Sequence, residues 1–165
     1  MKTLSFIIFS FLINSIYGQN TVELSYPQTI FDSDTCCWRK LEKQGHYQQA
    51  GELIIAYIEK GDPRNVHSLN WHAGQVFAHG ENKYLALKYF KKTYNIFYRL
   101  FGGEDGKAWY FYAKGTVAFI TRDKSTLEKI INKWNKKLPK DLNYKVLILL
   151  YQNWDKSYTL ATINK

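Results

Sequence analysis

The stretch that decides the fold is residues 70–95, which read NWHAGQVFAHGENKYLALKYFKKTYN. A polar turn at residues 80–82 separates two segments that are rich in apolar residues, and each segment carries a small residue, Gly74 or Ala86. Three apolar positions in this stretch follow others at a spacing of 36 residues: Leu41, Ala50 and Ile54 precede Phe77, Ala86 and Phe90. A fixed period between about 20 and 50 residues is typical of repeat architectures, in which each unit buries its apolar face against its neighbours.

The apolar residues outside this stretch also follow a helical rhythm. Three segments place apolar residues at relative positions 0, 3, 4 and 7, as amphipathic helices do. They begin at Ala50, Ala86 and Leu127, and the third contains Ile130, Ile131 and Trp134. Each follows a further helical stretch, predicted at residues 35–43, 66–79 and 107–121, and a closing pair is predicted at 142–152 and 155–163. The sequence therefore predicts an all-α fold of stacked antiparallel helix pairs, in about three to four units.

The motif Gly74, Phe77, Gly80, Ala86 and Phe90 resembles the tetratricopeptide repeat family. The resemblance covers residues 34–139 and weakens along the chain. Trp38 and Leu127 stand where the family usually has small residues. The interval between Ala86 and Leu127 stretches to 41 residues, so an extra segment is expected within residues 95–106, either as an extended helix or as a flexible loop.

The N-terminus has the layout of a secretory signal peptide. A basic start at Lys2 precedes an almost wholly apolar run and a small residue, Gly18. We predict a signal peptide at residues 1–18, a flexible lead-in at 19–33 and the helical-repeat domain at 34–165. An N-terminal anchor that stays in place is the alternative. The expected location is periplasmic or extracellular, without stable membrane insertion after cleavage.

The charge favours acidic partners. The chain carries a formal net charge of +9, mostly from lysine. The export signal argues against nucleic acid as the partner, and a basic but merely solvated surface is the simpler explanation of the charge. The same choice applies to the basic helical segment at residues 129–137, KIINKWNKK, which is either a solvated outer face or a docking face for an acidic partner.

The adjacent cysteines, Cys36 and Cys37, are the only two in the chain. Neighbouring α-carbons lie about 3.8 Å apart, below the usual range for a disulfide. A vicinal disulfide is one interpretation, and two buried thiols on a helix are the favoured one.

Motifs for catalysis, metals or cofactors are weak. His72 and His79 are seven residues apart, which separates them by about 10 Å along a helix. The run GGEDGK at residues 102–107 lacks the spacing of a phosphate-binding loop and is expected to be a flexible connection. No carboxylate pair or nucleophile stands in a catalytic pattern. The sequence therefore predicts no enzyme activity, no cofactor and no metal site.

The resemblance implies a concave groove lined by the first helix of each unit. The residues three before, one after and five after Gly74 are Trp71, Gln75 and His79, and they are predicted to bind the partner. The same count predicts Tyr112 and Thr116 around Gly115, and Arg39 and Lys43 around Trp38. Trp71 and Tyr112 are the expected hot spots, because large aromatic residues carry much of the energy of buried contacts. The alternative is that Trp71 packs against the neighbouring unit.

Together these patterns predict an exported, non-catalytic protein that binds a protein or peptide partner with an acidic segment in the cell envelope. A cognate inhibitor of a toxin or enzyme is one specific form of such a binder. The alternatives are a module that binds envelope glycan or another anionic polymer, and a cell-wall hydrolase.

Overall fold

The computed structural model describes residues 22–136 and 141–162. They form two compact units that divide between Val66 and His67. Residues 22–136 and 141–162 contain helices and turns but no strand, which confirms the all-α prediction. Among the described helices, none combines the length and the hydropathy that a membrane span requires. The predicted signal peptide at residues 1–18 lies outside the described residues.

The first unit contains α1 (Gln28–Phe31), α2 (Cys37–Lys43) and α3 (Tyr47–Lys60). The helices α2 and α3 pack against each other across a turn in which Gly45 adopts a φ of 78°. Side chains are rarely tolerated at such a φ, so glycine suits this turn.

The expectation of a flexible lead-in up to residue 33 is wrong for its described part. Phe31 is fully buried, and its ring stacks on Tyr57 at a centroid distance of 3.9 Å. The side-chain oxygen of Gln28 accepts hydrogen bonds from the backbone amides of Arg64 and Asn65, at 2.8 and 2.7 Å. Burial of an aromatic ring therefore joins α1 to the first unit.

The preference for two free thiols is also wrong. The structure joins Cys36 and Cys37 in a vicinal disulfide. Cys36 is the extended residue that precedes α2, and Cys37 has a φ of 53°. The pair therefore lies at the start of the helix instead of within it.

The second unit begins in α4 (Val66–His79) and continues with α5 (Lys83–Phe90), a 3₁₀ turn (Lys91–Thr93) and α6 (Ile96–Phe101). The remaining helices are α7 (Gly103–Thr121), α8 (Lys124–Asn135), α9 (Leu142–Gln152) and α10 (Tyr158–Thr162). The long helix α7 is central, because it packs against α5, α6, α8 and α9.

Two glycines allow close contacts in the second unit. A Cβ on Gly74 would lie 2.5 Å from the ring of Phe90, so α4 and α5 meet through this pair. A Cβ on Gly115 would lie 2.5 Å from Leu147, so the absence of a side chain at Gly115 lets α7 approach α9. The spacing of twelve residues between Gly74 and Ala86 recurs between Gly115 and Leu127 of α8, but the close contact of Gly115 is with α9. Leu127 is nevertheless buried, as are Ile130, Ile131 and Trp134, which confirms the predicted apolar stripe of α8.

The extra segment between the second and third predicted pairs is a separate short helix, α6. The expected flexible connection at residues 102–107 is wrong, because α7 begins at Gly103 and places Glu104 and Asp105 in its first turn. Carboxylates are favourable at that end of a helix, where the backbone amides point outwards.

Candidate functional site

Two adjoining pockets lie among α6, α7 and α8 of the second unit. Each has a volume of about 200 Å³, and they share Arg99, Phe111 and Lys133. Five cationic side chains line them, and we call this region the basic cleft: Arg99, Lys107, Lys114, Lys129 and Lys133. Among the residues that the structure describes, no aspartate or glutamate lines either pocket.

Helix geometry explains why these cations converge. Lys107 and Lys114 are seven residues apart on α7, and Lys129 and Lys133 are four apart on α8, so each pair shares a helix face. The stripe of α8 that includes Ile130 packs inwards, which leaves Lys129 and Lys133 at the border of the α7–α8 contact.

Two of the cations, Arg99 and Lys114, lie over the ring of Tyr110. Tyr110 is 8% exposed, and the Arg99 guanidinium and the Lys114 ammonium each lie 5.5 Å from its ring centroid. The Lys114 ammonium also donates to the Tyr110 hydroxyl at 3.3 Å. Within the described ranges, no ion pair joins the five cations to a carboxylate. The cleft therefore concentrates positive charge that an anionic ligand could neutralise.

The predicted groove residues of the second unit mostly lie in the interior. Trp71 is 5% and Tyr112 6% exposed, and their rings lie 4.8 Å apart. Burial raises the pKa of Tyr112 to about 12. Trp71 also packs on Phe90 and Trp109, at 4.7 and 4.9 Å. These contacts match the alternative in which Trp71 packs against the next helices.

The other predicted residues also make intramolecular contacts. Gln75 contacts His72 of the same helix at 3.0 Å. His79 contacts the Thr159 hydroxyl of α10 at 3.0 Å, and burial lowers the pKa of His79. Thr116 is fully buried, and its hydroxyl has no hydrogen-bond partner among the described residues.

In the first unit, Arg39 and Lys43 hold the loop before α2. The Arg39 side chain donates to the carbonyl of Asp32 at 2.9 Å and lies 3.9 Å from the Asp34 carboxylate. Lys43 donates to the Asp34 carbonyl at 2.7 Å. The structure thus brings Trp71 and Tyr112 together as a buried pair, and the five predicted residues of the second unit do not form an open stripe. Their contact with a partner stays a prediction.

Sequence reasoning identified only part of the basic cleft. The basic segment at 129–137 pointed to Lys129 and Lys133, but not to the cations of α6 and α7. The spacing of Lys107 and Lys114 was an available signal, since both fall on the predicted helix at 107–121. In the described residues, no group of three histidine, cysteine, aspartate or glutamate side chains is placed to hold a metal ion.

Comparisons of this chain with protein-family models, with curated proteins and with solved structures give no match. The geometry and charge of the cleft are therefore the features from which a function can be inferred.

Proposed function

We propose that this chain is an exported, non-catalytic binding protein whose basic cleft binds an acidic segment of a protein or peptide partner. The observation that carries the proposal is the convergence of five cations on two adjoining pockets with no lining carboxylate in the described structure. The side chains come from three different helices, so the packing of α6, α7 and α8 sets their spacing. We further propose that the helix pairs are divergent tetratricopeptide-like units.

The cleft replaces the first-helix groove as the proposed binding surface. Lys129 and Lys133 are exposed, whereas Trp71 and Tyr112 are buried. A ligand could therefore reach the cleft without opening the aromatic core. Binding through these exposed charges should weaken with salt, since the Debye length falls from about 30 Å at 0.01 M to about 8 Å at 0.15 M.

The test is fluorescence anisotropy of a labelled peptide that contains a run of glutamates. The double variant Lys129→Glu/Lys133→Glu should weaken binding by about tenfold or more, because two attractive contacts become repulsive. The matched control is Lys40→Glu/Lys60→Glu, which makes the same change in net charge at exposed positions of the first unit.

Equal weakening by both double variants would contradict the proposal, because it would show attraction to the net charge alone. Inorganic polyphosphate serves as a second probe. If it binds the cleft much more tightly than the peptide does, the anionic-polymer alternative replaces the acidic-peptide proposal.

A further inference from the structure

Five of the eleven exposed large hydrophobic side chains in the described part of the chain lie on the short helix α6. The helix reads IFYRLF, and the structure buries none of its six residues. Phe97 is 66% and Phe101 77% exposed, and their rings stack at 6.1 Å. Leu100 and Ile96 are 56% and 41% exposed. Apolar side chains concentrated in this way on a protein surface mark an interaction site.

The inward contacts of α6 are made by its other residues. A Cβ on Gly106 would lie 2.6 Å from the Tyr98 carbonyl, so the absence of a side chain at Gly106 lets α6 approach α7. The Tyr98 ring contacts His67 at 5.6 Å, and Arg99 lies over Tyr110. Arg99 and the half-covered Tyr98, which is 39% exposed, therefore hold the helix in place.

The spacing of the remaining four residues gives them a common direction. Residues 96, 97, 100 and 101 are related by one, four and five positions, which places them on one face of a helix. Since Tyr98 and Arg99 occupy the docked side, we call the opposite side, formed by Ile96, Phe97, Leu100 and Phe101, the apolar face.

Cations border the apolar face. Leu100 lines one pocket of the basic cleft together with Arg99, Lys107 and Lys133. Lys91 and Lys92 are exposed in the 3₁₀ turn just before α6. The charges of opposite sign nearby are Glu104 and Asp105, exposed in the first turn of α7.

We propose that the apolar face docks reversibly on an anionic lipid bilayer, with its side chains in the acyl boundary and the bordering cations at the headgroups. Aromatic and aliphatic side chains beside lysine and arginine suit this interface. The charge also distinguishes the occupant: a second copy of the chain would bring the same bordering cations against this face, whereas an anionic membrane neutralises them. This proposal does not require the binding of an acidic segment, although both binding modes use Arg99, Lys107 and Lys133.

The experiment is cosedimentation of the full chain with vesicles of equal parts phosphatidylglycerol and phosphatidylcholine, and with vesicles of phosphatidylcholine alone. We expect binding to the anionic vesicles, and Phe97→Ser/Phe101→Ser should lower the partition coefficient by about tenfold or more. The matched control is Tyr84→Ser, which removes a 76% exposed aromatic ring from α5 and should leave partitioning unchanged. All variants keep the same N-terminus, so differences in partitioning between them report on the substituted residues.

A second pair of substitutions tests the sign of the electrostatic contribution. Glu104→Gln/Asp105→Asn should raise partitioning into anionic vesicles, because it removes the carboxylates beside the apolar face. Equal partitioning of the wild type and the double phenylalanine variant would overturn the proposal in favour of attraction by lysines alone. Absence of vesicle binding would also overturn it, and sedimentation of a dimer that the phenylalanine substitutions dissociate would identify a second copy as the occupant.

Discussion

Replacing Trp134 with alanine tests the packing of α8 against its neighbours. Trp134 is fully buried, and its ring lies 6.0 Å from Phe111 of α7 and 5.7 Å from Tyr144 of α9. Emptying a large buried aromatic site costs about 3–5 kcal/mol. The indole Nε1 has no hydrogen-bond partner among the described residues. Removing this unsatisfied donor offsets part of the loss, so we expect a destabilisation near the lower limit, about 3 kcal/mol.

Urea unfolding followed by far-ultraviolet circular dichroism measures this change. A loss of about 3 kcal/mol corresponds to a decrease in Tm of roughly 6–12 °C for a chain of this size. Trp134→Phe should cost much less, since it keeps an aromatic ring and removes the unsatisfied donor. Asn132→Ala, at an exposed position of the same helix, should stay within about 0.5 kcal/mol of the wild type. A Trp134→Ala variant that unfolds at the wild-type midpoint with an unchanged slope would refute the assigned packing.

Three further substitutions test other contacts by the same unfolding assay. Gly115→Val should lower the free energy of unfolding by about 1–3 kcal/mol, because its Cβ would overlap Leu147, and wild-type stability would show that the helices are farther apart. Arg122→Asn keeps a residue that tolerates the φ of 61° but removes the hydrogen bonds that Arg122 donates to the carbonyls of Trp154 and Lys156. The expected loss is about 1 kcal/mol, and no loss would mean that these contacts do not stabilise the fold. Burial lowers the pKa of His79, so the unfolded state takes up a proton first and stability should fall as the pH drops below about 6.5. His79→Gln should flatten this pH dependence, and an unchanged slope would assign it to other groups.

Helix positions followed from the sequence because apolar periodicity is a local property. The predicted bounds 66–79 and 142–152 coincide with α4 and α9. The burial of Leu127 and Trp134 followed in the same way from the stripe of α8.

The neighbours of each helix could not be predicted in this way. Periodicity identifies the apolar face of α7 but does not say that Gly115 meets α9 instead of α8. Likewise, the sequence contains no local signal that α10 places Thr159 beside His79. For the same reason Trp71 does not line an open groove as predicted, because tertiary packing covers it with Trp109 and Tyr112.

The basic cleft, too, could be predicted from the sequence only in part. Lys129 and Lys133 were recognisable as a basic segment, but Arg99 joins them only because a separate helix forms at 96–101. That helix docks through Gly106 and the Tyr98 backbone. The sequence predicts a flexible connection at residues 102–107. It therefore gives no signal that α6, α7 and α8 pack together.

The most direct test of the proposed function is a two-dimensional amide NMR titration of the protein with the glutamate peptide. We predict that the largest shift changes fall on residues of the basic cleft, in particular Arg99, Lys114, Lys129 and Lys133, and that they saturate together. Changes concentrated on Arg39 and Lys43, or spread evenly over the exposed lysines, would contradict a site at the basic cleft.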